Sequence, residues 1–163
     1  MKHEFEIVGS FASSSDAEEL VYAPLGVDLT SRSTRHYVLE TSQGDDSLAV
    51  REFVDEVLFD EVSQDLHVGR EPALDGFLFF VDYGMKKGAL DLEKESIIRY
   101  YQSLKSPGFT LEDLTITTRI YLFQAGAGSI EEGGEKATAQ RIVRDVCNPA
   151  IHTWELTYAR DCA

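Results

Sequence analysis

Three segments of the chain place hydrophobic residues at the spacing of an amphipathic helix, in which positions i, i+3, i+4, i+7 and i+8 share one face. The first set is Val50, Phe53, Val54, Val57 and Leu58, and the last is Ala139, Ile142, Val143, Val146 and Cys147. Between them lies a stripe of Ile97, Ile98, Tyr101 and Leu104. Asp91 precedes this stripe and is a residue type that favours the N-cap position. The pattern therefore predicts three helices.

Runs of β-branched and aromatic residues predict strands around these helices. The predicted strands are residues 4–8, 34–39, 76–83, 118–123 and 154–158. Short extended segments are expected where the first and last helices end, at 59–64 and 148–153. Pro149 supports a helix end there, because the residue before a proline avoids helical backbone. Residues 9–27 leave room for at most a short helix, near 16–20.

The chain contains a candidate internal repeat. Thr34-Arg35-His36-Tyr37 resembles Thr118-Arg119-Ile120-Tyr121 at an offset of 84 residues, and Asp28-Leu29-Thr30 resembles Asp113-Leu114-Thr115 at an offset of 85. The first and last helical stripes lie 89 residues apart, so the loop before the last helix is longer. We interpret residues 1–69 as a reduced copy, 70–76 as a linker and 77–163 as a complete β-α-β-α-β copy.

The repeat predicts the fold class. Each copy has one apolar sheet face, which it can bury better by pairing with its twin. Two copies in one chain therefore indicate an intramolecular pseudo-dimer that is a monomer overall. We expect an α+β fold with two packed antiparallel sheets and helices on one side of each. Arg35 and Arg119 share a position in this repeat, and each either pairs with a carboxylate across the pseudo-dimer or faces solvent.

Composition and charge narrow the possible partners. The chain has 163 residues, of which 43% are hydrophobic and 27% charged, as is typical of a folded globular protein. With 29 acidic and 15 basic residues its net charge is −14. Such a chain repels a phosphate backbone or an anionic membrane, so we expect neither as a partner. A basic protein surface, or solubility alone, explains the charge. No run has the pattern of a signal peptide or the length of a membrane span, which predicts a cytoplasmic protein.

The sequence contains no recognisable catalytic or metal-binding motif. Its four histidines and two cysteines lack the spacing of a metal site, and we expect no catalytic residue, metal or cofactor. Cys147 is expected to be buried, and Cys162 to be free and exposed. The Gly-x-Gly at 126–128 is interpreted as a flexible connector, because Glu131 stands where a phosphate-binding loop would have its third glycine. We interpret two acidic pairs as solvated loop charge: Asp45-Asp46 and Glu131-Glu132.

A small basic spot precedes the second predicted helix. Lys86 and Lys87 stand beside Gly88 in a predicted turn. They either contact an acidic partner surface or a phosphate, or simply face solvent. For Trp154 and Tyr158 we favour packing in the core or at a sheet edge over a ligand platform.

Two segments resemble the PurS family, the small subunit of phosphoribosylformylglycinamidine synthase. Lys86-Lys87-Gly88-Ala89-Leu90-Asp91 and the helix after it are similar to the family's Lys-Pro-Gly-Val-Leu-Asp turn and helix, with Lys87 where proline is usual. Asn148-Pro149-Ala150-Ile151-His152-Thr153-Trp154-Glu155-Leu156 is similar to the family's Asn-Pro-Val-Ile-Glu…Tyr-Glu-Ile ending. The resemblance covers residues 77–158, and reaches 28–68 only through the repeat. Tandem copies also resemble the N-terminal region of certain long single-chain forms of the synthase.

The resemblance implies an accessory role in de novo purine biosynthesis. The family's enzyme converts formylglycinamide ribonucleotide to the amidine with ATP and glutamine-derived ammonia, and its PurS part bridges the synthetase and glutaminase parts. The chemistry would then reside in those partners, with Lys86, Lys87, Gly88 and Arg119 as candidate partner-binding residues. One alternative is a stand-alone small-molecule-binding or regulatory module, which a metabolite that raises the melting temperature without any partner would favour. Another is a catalytic domain with an unrecognised site, which turnover by the isolated chain would favour.

Overall fold

The computed structural model describes residues 1–44, 47–126, 130–131 and 133–162. Asp45-Asp46, Glu132 and most of the Gly-x-Gly loop therefore lie outside the described residues. The described strands are β1 (Lys2–Gly9), β2 (Ser15–Asp16), β3 (Leu29–Thr41), β4 (Gln64–Val68), β5 (Phe79–Met85), β6 (Leu111–Gln124) and β7 (His152–Tyr158). The described α-helices are α1 (Ser47–Val57), α2 (Leu92–Ser103) and α3 (Gly134–Val146), with short 3-10 helices at Ala17–Leu20 and Ala159–Asp161. None of the described helices is long and apolar enough to cross a bilayer.

The strands form an antiparallel sheet in the order β4-β1-β3-β6-β5-β7, with β2 beside β3. The pairings in the two halves of this order correspond: β1 lies between β3 and β4, and β5 lies between β6 and β7. The predicted α+β class and its three helices are confirmed. Hydrogen bonding links all seven described strands in one series, where the sequence predicted two sheets.

The chain divides into two compact units, each of which takes residues from both sides of the predicted linker. Unit 1 consists of Met1–Phe11, Arg35–Ala73 and Gly88–Thr117, and contains β1, α1, β4 and α2. Unit 2 consists of Ala12–Thr34, Leu74–Lys87 and the chain from Thr118 onward, and contains β2, β5, α3 and β7. The long strands β3 and β6 contribute one part to each unit.

The core of unit 1 lies between its strands and the apolar faces of α1 and α2. The fully buried α1 stripe, Val50, Phe53 and Val54, packs with Ile97 of α2. Strand residues complete this core: Phe5, Ile7, Tyr37, Leu39, Leu114 and Ile116. The predicted cap of α2 is confirmed, because an Asp91 carboxylate oxygen accepts a hydrogen bond from the Lys94 backbone N–H at 3.0 Å.

The core of unit 2 has one helix and an irregular segment over its sheet. The α3 stripe packs against Phe79, Val81, Ile120 and Leu122, together with Leu29 of β3 and with Ala17 and Leu25 from the irregular segment between β2 and β3. Arg141 of α3 holds that segment by donating hydrogen bonds to the carbonyl oxygens of Ala23 (2.8 Å) and Pro24 (2.7 Å). The prediction for the cysteines is confirmed, since Cys147 is a buried member of this core and Cys162 is exposed.

Most of the two predicted extended segments is turn: only Gln64 of 59–64, and only His152 and Thr153 of 148–153, lie in strands. At 59–63 the Asp60 carboxylate accepts hydrogen bonds from the Ser63 hydroxyl (2.6 Å) and the Val62 N–H (3.1 Å), and β4 begins only at Gln64. At 149–151 the Asn148 side-chain oxygen accepts from the Ala150 N–H (3.0 Å). The β-forming residues of these segments do not decide their conformation, because the Asp60 and Asn148 side chains accept hydrogen bonds from backbone N–H groups two residues ahead and close a turn.

The repeat offset of 84 residues is wrong for β3 and β6. Tyr37 lies in the unit 1 core, but Tyr121 lies on the strand face of Phe80, with ring centroids 5.3 Å apart, opposite the core face of Ile120 and Leu122. A shift of one residue moves every side chain of a strand to the other face. The Asp-Leu-Thr offset of 85 residues keeps the faces aligned, since Leu29 and Leu114 are both core residues. Arg35 and Arg119 are therefore not equivalent.

Candidate partner-binding surface

The two segments that carry the family resemblance meet at one end of the unit 2 strands. Met85, the last residue of β5, is paired with His152, the first residue of β7. Just beyond them, the Lys86 backbone N–H donates a hydrogen bond to the Ile151 carbonyl oxygen at 2.8 Å. The turn after β5 and the turn before β7 therefore form one local structure, although they are distant in sequence.

This end of unit 2 exposes large apolar side chains beside two cations. The side chains of Met85, Ile151 and Trp154 are 39%, 40% and 42% exposed. Lys86 and Lys87 are exposed, and neither forms an ion pair within the residues that the structure describes. We call these five residues the β5–β7 surface. An exposed apolar patch bordered by like charges is typical of a protein interaction site for an apolar, acidic partner surface.

Local hydrogen bonds hold the turn before β7 in a fixed conformation. The Asn148 backbone N–H donates to His152 Nδ1 at 3.0 Å, and the His152 N–H donates to the Asn148 carbonyl oxygen at 2.7 Å. The His152 ring packs edge-on against Tyr83, with centroids 5.3 Å apart. These contacts fasten the His152 ring to the turn that carries Ile151 and to β5.

Gly88, the next predicted site residue, shapes the backbone after β5. Its φ angle of +91° is one that L side chains rarely adopt, and a Cβ atom there would meet nothing within 4 Å. The glycine is therefore needed for the turn conformation and not for space.

Arg119, the fourth predicted residue, has a different environment. It is buried, with 5% of its surface exposed. Its Nε and Nη2 atoms donate to the two carboxylate oxygens of Asp82 at 2.7 and 2.8 Å, and its guanidinium lies 4.2 Å from the centre of the Phe80 ring. Lys86 and Lys87 thus belong to the β5–β7 surface, whereas Arg119 is engaged by residues of its own unit.

Arg35 also pairs with a carboxylate of its own unit. It forms an ion pair with Glu93 in the first turn of α2, and the Tyr37 hydroxyl donates to the other Glu93 oxygen at 2.6 Å. Burial and the neighbouring carboxylate raise the pKa of Tyr37 to about 12. The network fastens the start of α2 to β3.

Two observations bear on metal binding and on cysteine reactivity within the described residues. No group of three or more His, Cys, Asp or Glu side chains among them could hold a metal ion. Burial raises the pKa of the Cys147 thiol to about 11, so its reactive thiolate form is scarce at neutral pH.

Sequence reasoning missed the exposure of Trp154. His152, Trp154 and Leu156 share one face of β7 by alternation. Leu156 packs against the unit 2 core, but Trp154 is 42% exposed. Tyr158, in contrast, packs 6.0 Å from Phe79, as predicted for a sheet residue. The signal in the sequence was the place of Trp154 near the start of its strand, next to a turn, where helices and loops no longer cover the sheet.

Comparisons with protein-family models, with curated proteins and with solved structures found no match to this chain.

Proposed function

We propose that this protein is a tandem PurS-like accessory module of phosphoribosylformylglycinamidine synthase, which contacts the synthetase and glutaminase parts and leaves the chemistry to them. The observation that carries the proposal is the convergence of the two resembling segments. The sequence resemblance lies in residues 86–91 and 148–156, and the Lys86–Ile151 hydrogen bond joins these segments beside exposed Met85 and Trp154. The antiparallel pairing of β5 with β7 brings the two segments together, and the apolar side chains that stay exposed where they meet favour a partner surface there.

The proposal includes two PurS-like copies that form an intramolecular pseudo-dimer. Its support is a set of core positions that correspond once the faces are aligned. The corresponding core residues are Phe5 and Phe79, Leu29 and Leu114, and Val50 and Ala139, and the partly buried Leu66 and Leu156 each pack against one of the cores. The strand registers agree with these offsets, because Phe5 is paired with Tyr37 and Phe79 with Leu122, 85 positions further along.

The two copies exchange their first helices in this arrangement. Helix α2 belongs to the second copy in sequence but packs in unit 1. The counterpart in the first copy is the 3-10 helix at Ala17–Leu20, which packs in unit 2. Exchange of an equivalent element between protomers is a low-cost route to dimers, so this arrangement supports the proposed pseudo-dimer.

The test is affinity capture from native extract, followed by mass spectrometry and an activity assay of the retained material. We expect a synthetase and a glutaminase to be retained, with glutamine- and ATP-dependent formation of the amidine. The variant Trp154→Ala removes the largest side chain of the β5–β7 surface and is expected to lose both partners. Tyr22→Ala is the matched control, because Tyr22 is 90% exposed in unit 2 and its backbone contact to Asp145 survives the change.

Each outcome has a distinct meaning. Capture by the wild type and by Tyr22→Ala, but not by Trp154→Ala, would support both the function and the surface. Capture by all three proteins would keep the function and remove the β5–β7 surface from it. A wild type that retains neither partner, but melts at a higher temperature with a metabolite, would contradict the accessory role and favour a small-molecule-binding module.

A further inference from the structure

Unit 1 contains an open groove between α1 and α2, distinct from the β5–β7 surface of unit 2. Its volume is about 410 Å³, and it is lined by Glu56, Val57, Ser96, Ile97 and Tyr100. Ile97 is buried and Val57 half-buried, so the floor is apolar, while the remaining side chains are exposed at the rim. The volume lies within the range of small-ligand sites, which suits a long side chain inserted from outside.

The rim carries a carboxylate that is fixed in place. The Tyr100 hydroxyl donates to Glu56 Oε1 at 2.8 Å, and this hydrogen bond raises the pKa of Tyr100. Within the described residues, the second oxygen of Glu56 accepts no hydrogen bond and Glu56 has no cationic partner. The Ser96 hydroxyl is already bonded to the Leu92 carbonyl oxygen at 2.8 Å. The polar group that the groove offers to a ligand is therefore the Glu56 carboxylate.

The negative charge on this side of α1 is not balanced within the helix. Arg51 is the single base of α1, and it pairs with Asp55 at 2.9 Å. Glu52 and Glu56 stand four residues apart, where like charges repel. On α2, Lys94 pairs with Asp113 at 2.9 Å. Arg99, the other base of α2, forms no ion pair within the described residues, so Glu56 is open to a cation from another molecule.

We propose that the α1–α2 groove binds a lysine or arginine side chain presented by a basic amphipathic helix of a partner protein. The alkyl stem of such a side chain lies on Val57 and Ile97, and its cationic head reaches the Glu56 carboxylate beside the Tyr100 ring, which attracts cations through its π face. An apolar groove is a common receptor for an amphipathic helix, which lays its apolar face into it. The net charge of −14 draws a basic segment toward the chain.

The test uses the full chain and a fluorescent, amidated peptide of leucine and lysine with helical spacing, about 14 residues long so that a helix can form on binding. Fluorescence anisotropy measures its affinity, and two-dimensional NMR of labelled protein locates it. Glu56→Gln is expected to weaken binding about tenfold, equivalent to about 1.4 kcal/mol. Ser96→Trp, which fills the groove, is expected to weaken it at least as much. NMR shifts are expected at Val57, Ile97 and Tyr100.

Matched controls separate the groove from general charge attraction. Glu19→Gln removes the same charge from an exposed residue of unit 2, and Gln102→Trp adds the same ring to an exposed position of α2 outside the groove. Both controls are expected to bind within about twofold of the wild type, a difference of about 0.4 kcal/mol. Equal weakening by Glu56→Gln and Glu19→Gln, or equal effects of the two tryptophans, would overturn the proposal. So would NMR shifts confined to other parts of the chain.

Discussion

Cutting the chain between Ala73 and Leu74 is expected to leave neither fragment able to fold alone. The cut falls in the predicted linker, where two independent domains would separate cleanly. The units instead draw residues from both sides of it. Fragment 1–73 retains α1 but loses α2 and the whole of β6, which complete the unit 1 core.

The loss for fragment 1–73 can be estimated from its missing core residues. Ile97, Phe109, Leu114 and Ile116 of the unit 1 core all follow the cut. Burial of one such side chain contributes about 1.5–3 kcal/mol, so their absence removes about 6–12 kcal/mol. A whole domain is stable by only about 5–15 kcal/mol. Fragment 74–163 lacks Leu25 and Leu29 of the unit 2 core, which removes about 3–6 kcal/mol.

The assay is circular dichroism with urea unfolding of each fragment and of their equimolar mixture. We expect each fragment alone to show no cooperative transition, and the mixture to recover one whose midpoint rises with concentration. The uncut chain is the control, with a midpoint independent of concentration. A cooperative, concentration-independent transition in fragment 1–73 alone would refute the reasoning, because it would show that residues 1–73 bury a sufficient core without α2.

Three further predictions concern single sites. Because the pKa of Tyr37 is raised to about 12 in the folded state, its contribution to folding stability is complete below its ordinary pKa of 10 and is lost as pH rises through about 12. Tyr37→Phe is expected to flatten that loss of stability in urea titrations from pH 9 to 12, and an unchanged dependence of stability on pH would contradict this. Gly108→Ala should destabilise the protein more than Gly88→Ala. Both glycines have positive φ, which costs an alanine about 1–2 kcal/mol, but only the Cβ at Gly108 would meet a neighbouring side chain, at 2.8 Å. Equal urea midpoints for the two variants would exclude that contact. Asp82→Ala should cost about 3–5 kcal/mol by leaving the buried Arg119 charge without its bidentate partner, while the double variant Asp82→Leu, Arg119→Met should recover most of it in thermal unfolding.

The helices could be predicted from the sequence because their signal is local. Val50, Phe53 and Val54 repeat at helical spacing and form the buried stripe of α1. Asp91 could be predicted as the N-cap because a short acidic side chain just before a helix accepts hydrogen bonds from the N–H groups of its first turn. The periodicity also identified which face of α2 is buried. It carried no information on the sheet that this face covers, and α2 packs in unit 1 although its sequence neighbour β5 lies in unit 2.

Residue identity alone could not give the correct alignment of the repeated strands β3 and β6. Thr-Arg-x-Tyr is the stronger match by identity, yet it equates Tyr37 of the unit 1 core with Tyr121 on the opposite strand face. The weaker match through Leu29 and Leu114 preserves the face. Burial decides which face a residue occupies, and identity of side chain does not, so the alternation of buried positions is the better guide to alignment of strands.

The same distinction applies to the candidate site. A turn needs residues such as Gly88, with its positive φ, and Asn148, with its side-chain hydrogen bond, whatever the function of the protein. Those residues explain why the two resembling segments are turns, but not why Met85 and Trp154 remain exposed beside them. Exposure of the apolar Trp154 side chain to water is unfavourable. The indole does not stabilise the turn, because the hydrogen bonds of Asn148 and His152 close the turn without it. Loss of partner capture in Trp154→Ala, with an unchanged melting temperature, is therefore the result that separates recognition at this surface from the structural needs of its turns.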